Sequence, residues 1–202
     1  SFANCNCFVS PYLLLYSLCI MNFIEKTLVI IKPDGVVRGL VWEITARFER
    51  AGLRIIMGKI FKPSKELLHA HYPAERIDWV KVLWERTQEG YAELGIDLLS
   101  EFWSVDHGVI GEKVRNWLVD YMFIGEVFAM VLEGPHAIEV VRKLVGPTVS
   151  LKAPAGTIRG DYSCDSVALA NLERRPIKNL IHASGNKEEA DFEVDLWFGD
   201  GC

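Results

Sequence analysis

From Thr27 onward the chain alternates between two hydrophobic periods. Thr27–Ile31 is a continuous apolar run suited to a central strand, and Leu40–Ala51 carries apolar positions at helical spacing with Gly52 placed as a C-terminal stop. Leu53–Phe61, rich in isoleucine, predicts a second strand, which Lys62-Pro63-Ser64 ends while capping a short helix that reaches His71. Further on, Val127–Leu132 reads as a buried strand, His136–Leu144 as a helix closed by Gly146, Lys178–Ala183 as a last strand and Lys187–Phe198 as a terminal helix. The order is βαβ followed by βαβ with extras. It predicts an α/β protein of the ferredoxin-like αβ sandwich type, a βαββαβ core with an antiparallel sheet covered by helices.

Composition narrows the class. With 202 residues, half of them hydrophobic, the chain can bury one sizeable core, so one domain is expected. A formal net charge of −5 supplies no basic footprint for nucleic acid, and any polyanion must be bound locally. The five cysteines, at 5, 7, 19, 164 and 202, form neither a paired framework nor a zinc spacing, which points to a reduced, cytoplasmic protein.

Residues 1–20 stand apart, with three cysteines, Pro11 and the apolar run Tyr12–Ile20. A secretory signal would need a basic start, yet the first basic residue is Lys26. The run is also short and interrupted for a membrane span, which takes roughly 20 apolar residues. Residues 1–20 are therefore read as an N-terminal extension outside the fold, ahead of a domain over 21–202, and no membrane partner is expected. A membrane-associating segment is the alternative weighed.

The chemistry begins at Asn179-Leu-Ile-His182-Ala-Ser184, a lone histidine at the end of an apolar run, followed by the helix-start string Gly185-Asn-Lys-Glu-Glu-Ala. A histidine carried on a rigid element can be a nucleophile or general base near neutral pH. Alone it is more often a structural residue. Three further strings change that balance: Glu25–Leu40, which ends in Lys32-Pro-Asp-Gly35 and Arg38; Val141-Arg142 to Gly146-Pro-Thr148; and Ala155-Gly156-Thr-Ile-Arg159-Gly-Asp-Tyr162. In content and order, with the closing Glu193-Val-Asp-Leu-Trp-Phe198, these strings resemble the nucleoside diphosphate kinase family over most of residues 24–198.

The resemblance implies the βαββαβ fold, transfer of the γ-phosphate of a nucleoside triphosphate to a nucleoside diphosphate, and one site serving both by ping-pong. It implies that His182 is the nucleophile, with Ser184 and Glu193 in support. Lys32 and Arg159 would hold the terminal phosphates, Arg142 and Thr148 the inner phosphate, Tyr72 the phosphate end near the histidine, and Asn179 the sugar side. Magnesium would be carried by the nucleotide phosphates rather than by a dedicated set of protein ligands. Neither GxxxxGK(S/T) nor GxGxxG is present, so the phosphates would not sit in a P-loop. The family also implies an assembly of like subunits, hexamer or tetramer.

The chain departs from the commoner, shorter form of the family. An insertion at about 73–112 carries Trp79, Trp84, Tyr91, Phe102 and Trp103 among acidic residues, and is expected to form a helical cap with its own small core beside the cleft. A second, smaller insertion spans Cys164–Arg175. Gly185 stands where the family often has Asp, and Val114 falls at the position of the base-stacking aromatic, for which Trp117 or an insertion tryptophan could substitute. Stacking gives little discrimination among bases, so broad nucleotide specificity is expected. A non-catalytic regulatory relative is disfavoured because His182, Lys32, Arg159 and Asn179 all stand.

Overall fold

The computed structural model describes residues 23–199. Its centre is a four-stranded sheet in the order β2-β3-β1-β4, built from β1 (Ile24–Ile31), β2 (Arg54–Phe61), β3 (Val127–Pro135) and β4 (Ile181–Ala183). Every neighbouring pair is antiparallel. That is the order required when two β-helix-β units interleave their strands, and it agrees with the sandwich predicted from the hydrophobic pattern.

The Leu28–Ile31 stretch of β1 is apolar without interruption because both faces of the sheet are covered there. Val29 and Ile31 point into a core with Ile44 and Phe48 of α2 (Val41–Arg50) and with Val141 of α7 (Ala137–Val145). Leu28 and Ile30 point the other way. There they meet Leu68 of α3 (Lys65–His71), Val119 and Met122 of α6 (His107–Ile124), and Val194 and Trp197 of α10 (Lys187–Phe198). All four of these β1 side chains are fully buried, so a polar substitution in the run would leave an unpaired group in one core or the other.

The remaining helices are short or peripheral: α1 (Pro33–Val37), α4 (Ile77–Glu93), α5 (Leu98–Phe102), α8 (Ile158–Tyr162) and α9 (Val167–Leu172). Segment 73–112 thus becomes α4, α5 and the first turn of α6. Leu83, Tyr91, Leu98, Phe102, Ile110 and Val114 form a third, separate core there, with Trp84 and Trp117 packed against it. α4 and α6 approach so closely that a Cβ on Gly111 would lie 2.5 Å from the carbonyl oxygen of Val80.

The last strand is shorter than the apolar pattern of Lys178–Ala183 predicts. Leu180 turns into the left-handed region at φ 69°, and the Ile181 amide bonds back to the Asn179 carbonyl at 2.8 Å. The Leu180 amide donates to Asp34 Oδ2 at 3.1 Å, so this kink is held from α1. Pairing with β1 therefore begins only at Ile181. The extension expected at 1–20, with Cys5, Cys7 and Cys19, lies outside the described residues, as does Cys202.

Candidate active site

His182 sits in the middle of β4, paired with Ile30 of β1, so its backbone is fixed by the central sheet. Its ring is gripped from behind. Nε2 lies 3.0 and 2.9 Å from the two carboxylate oxygens of Glu193, which projects from α10. Glu193 Oε2 also accepts from Ser184 Oγ at 2.6 Å. A carboxylate accepts only, so Nε2 carries the proton and Nδ1 keeps its lone pair. Burial works to raise the Glu193 pKa, but the adjoining His182, the bonds it accepts and His71 outweigh it and hold the group below the usual carboxylate range. Glu193 is the anion of the cluster.

His71, at the end of α3, meets the His182 ring edge-on at 4.5 Å between centroids. The Trp197 indole donates to its Nδ1 at 3.1 Å, while its Nε2 is buried without a hydrogen-bond partner among the described residues. Burial, with the nearby charge of His182, lowers its pKa to about 3. It is a neutral ring that packs the flank of His182, and the sequence reading did not single it out.

In front of His182 opens a cleft of about 280 Å³. Lys32, Tyr72, Arg142, Thr148, Arg159, Asn179, His182 and Glu193 all line it, whereas Ser184 lies behind, fully buried. The Lys32 ammonium, just past the end of β1, donates to Asn179 Oδ1 at 2.7 Å, and Asn179 Nδ2 donates to the Thr148 carbonyl at 2.9 Å. Burial and the charge of Arg159 lower the Lys32 pKa to about 8.

Arg159 donates to three backbone carbonyls, those of Asn179 at 3.2 Å, Gly146 at 2.8 Å and Ile181 at 2.6 Å. Arg142, in the last turn of α7, is exposed and makes no hydrogen bond or ion pair to the described residues. Burial also raises the pKa of Tyr72, keeping its hydroxyl protonated, and its ring stacks on Trp79 at 5.5 Å. Desolvated cations with unspent donors, converging on one cleft, make a site for a polyanion.

A model of the nucleoside diphosphate kinase family matches residues 25–80 and 97–201. The nucleoside diphosphate kinase of Pyrobaculum aerophilum is 47% identical over 175 residues, which cover 87% of this chain and 95% of that protein. That of Pyrococcus furiosus is 38% identical over 178 residues, 88% of this chain and 85% of its own length.

The chain belongs to the nucleoside diphosphate kinase family. As such it transfers the γ-phosphate of a nucleoside triphosphate to a nucleoside diphosphate. The crystal structure of the P. aerophilum kinase aligns with a TM-score of 0.84 at 46% identity, covering 88% of this chain and 97% of that one. A transition-state mimic of the Borrelia burgdorferi kinase, with bound vanadate and ADP, aligns with a TM-score of 0.69 at 35% identity, covering 89% of each.

Two expectations about the departures from the family are refined by the geometry. Trp117 does not reach the cleft; it packs at 6.1 Å on Phe102 in the third core, while Val114, Leu118 and Trp79 line the cavity. At Gly185 the missing side chain makes room for Glu189, whose Oε2 would lie 2.7 Å from a Cβ there and instead accepts the Gly185 amide. The other oxygen of Glu189 binds Arg76, just ahead of α4, at 2.5 Å. A kinase of this family thereby ties its terminal helix to the start of the inserted helices.

Proposed function

We propose that the kinase works through a phosphohistidine on His182. The observation that carries the reading is the fixed tautomer: Glu193 accepts the hydrogen bond from Nε2–H, leaving the Nδ1 lone pair free beside the cationic cleft. Nδ1 attacks the γ-phosphorus, the bond to the bridging oxygen breaks, and the diphosphate leaves with that electron pair. The ring then carries a positive charge that Glu193 neutralises through Nε2–H. A second diphosphate attacks the phosphorus from the same side of the cleft, the N–P bond breaks, and neutral His182 returns.

Lys32 and Arg159 bind the terminal phosphates in this reading, Arg142 and Thr148 the inner one, Asn179 the sugar side, and Tyr72 closes the phosphate end. Ser184 and Glu193 position the ring. The apolar side chains of Val114 and Leu118 lie against the base, and contact with a ring face favours no particular base.

Magnesium bound through the nucleotide phosphates would supply charge neutralisation. The donor set agrees with that arrangement. The two carboxylates that line the cleft, Glu189 and Glu193, are spent on Arg76 and Gly185 and on His182 and Ser184. His71, His182 and Glu193 cluster within 4.8 Å, but their nitrogens suit softer ions than magnesium.

Assembly with like subunits, as hexamer or tetramer, and a cytoplasmic location complete the proposal. Trp42 on α2 is 70% exposed, and among the described residues β2 pairs only with β3. No helix among the described residues is long and apolar enough to cross a membrane. The deciding experiment is incubation with γ-labelled ATP. Acid-labile, base-stable label is expected on the wild type and none on His182→Ala, whose turnover falls by at least on the order of 10³-fold. Robust turnover by purified His182→Ala would overturn the mechanism.

A further inference from the structure

Two cations in the cleft lining belong to neither the resemblance nor the roles assigned above, and of these Arg175 is spent on Asp165 and Glu173, which leaves Arg86. α4 presents Trp79, Val82, Leu83, Arg86 and Thr87 to the cavity, residues spaced three, four, seven and eight from the first, which is one face of a helix. Arg86 is the only charge in that stripe. It makes no hydrogen bond or ion pair to the described residues, although Glu89, one turn away, acts on it electrostatically. Burial lowers its pKa, and its charge in turn contributes to lowering that of Arg159 across the cleft. An unpaired, partly desolvated guanidinium facing other cations is unfavourable in the empty protein. A polyanion between them removes that cost.

The helix that carries it is held rigidly. Asn171 of α9, from the smaller insertion, donates through Nδ2 to the Thr87 carbonyl at 3.0 Å, and the Tyr91 hydroxyl donates to the Asn171 carbonyl at 3.0 Å. The two insertions, distant in sequence, are thus joined by buried hydrogen bonds into one wall of the cleft.

We propose that this wall binds substrate and that Arg86 is an additional phosphate-binding residue, contributed by the insertion. The inference rests on the reading that the cleft takes nucleotide phosphates. Arg86 adds a donor fork on the side opposite Arg159, so a bound diphosphate is gripped between core and insertion. The preformed geometry of α4 and α9 limits what ordering the contact requires.

Arg86→Met tests it. Affinity for ADP, measured by calorimetry, should fall about tenfold, the lower end for a charge-assisted hydrogen bond at a partly exposed group, while affinity for adenosine stays unchanged. Arg86→Lys should recover part of the loss, and raising the salt should narrow the gap between variant and wild type. The melting temperature of the nucleotide-free variant should hold or rise, with a smaller upward shift on adding ADP. Unchanged ADP affinity overturns the proposal, as does an equal loss for ADP and adenosine, which would mark a base contact or a structural role. Labelling of the wild type by γ-labelled ATP judges the phosphohistidine reading separately: a wild type that labels beside an Arg86→Met that binds ADP normally sinks only the role of Arg86.

Discussion

Glu193→Gln is the substitution that most directly separates geometry from charge at His182. The amide is isosteric, and its carbonyl can still accept from His182 Nε2 while its NH2 turns to the Ser184 hydroxyl, the two partners that the carboxylate holds at 2.9 and 2.6 Å. The tautomer is preserved and the charge is lost. A hydrogen bond to a charged group contributes roughly 1.5–3 kcal/mol against about 0.5–1.5 for a neutral one, so the loss should be about 1–2 kcal/mol. Because the ring becomes cationic only as phosphorus is transferred, that loss falls on the chemical step, slowing it about 5- to 30-fold with ADP affinity little changed. Rapid-quench, single-turnover labelling with γ-labelled ATP measures the step. Acid unfolding gives an independent reading. The Glu193 pKa lies below its ordinary value of 4.5 in the folded protein, so its contribution to stability is present above that value and is lost as pH falls below it. Glu193→Gln should lack this portion, while the loss due to His71, which runs from its ordinary 6.5 down to about 3, remains. Labelling at the wild-type rate, or a defect confined to KM, would refute the account of Glu193 as the neutraliser of a charged ring.

The Lys32 ammonium, with its pKa lowered from 10.5 to about 8, should lose its charge in the free enzyme as pH rises past that value. ADP affinity should then decline above pH 8 in the wild type and not in Lys32→Met; the unliganded wild type should meanwhile gain stability between pH 8 and 10.5, where the unfolded chain binds more protons. KM and denaturant midpoints across that range check both, and parallel profiles for the two proteins would count against the assignment. Arg159→Ala should lower kcat/KM by about 2–4 kcal/mol in transition-state terms and should also lower the melting temperature, since three carbonyls lose their donor. A variant with normal stability would contradict that bracing. Gly111→Ala should destabilise the protein by about 1–3 kcal/mol, because the new methyl meets the Val80 carbonyl. An unchanged denaturant midpoint would show that the α4–α6 contact yields freely.

Much of the sandwich is legible in the chain because the signals there are local. The Thr27–Ile31 run announces a strand covered on both sides, and Ser64, which caps α3 by accepting from the Leu67 amide, marks that helix start. The end of the apolar stretch at Lys178–Ala183 is not legible, since the turn at Leu180 is imposed by Asp34, 146 residues away. His71 closes a short helix like any polar residue; only the convergence of α3, α10 and β4 presses it on His182. The available signal was Tyr72, the next residue and one the resemblance implies in the site, and Trp197 of the closing string. Arg86 offers less, because a cation in an amphipathic helix reads as solvated until the packing of α4 against α6 and α9 fixes which face looks inward. The same blindness made Trp117 a candidate for the base when it serves the third core instead.

Arg159 ties the turn after α7 to the kink before β4 and to β4 itself. A guanidinium already immobilised by carbonyls has little rotamer freedom left to surrender when a nucleotide arrives, so the entropy of arranging this side of the cleft is spent once, during folding, rather than at each of the two half-reactions. Cohesion of the domain and grip on substrate therefore cannot drift independently at this position. A lineage that softened the brace to gain suppleness would surrender hold on both donor and acceptor together, and one that adapted to heat by tightening it would stiffen the catalytic face in the same stroke.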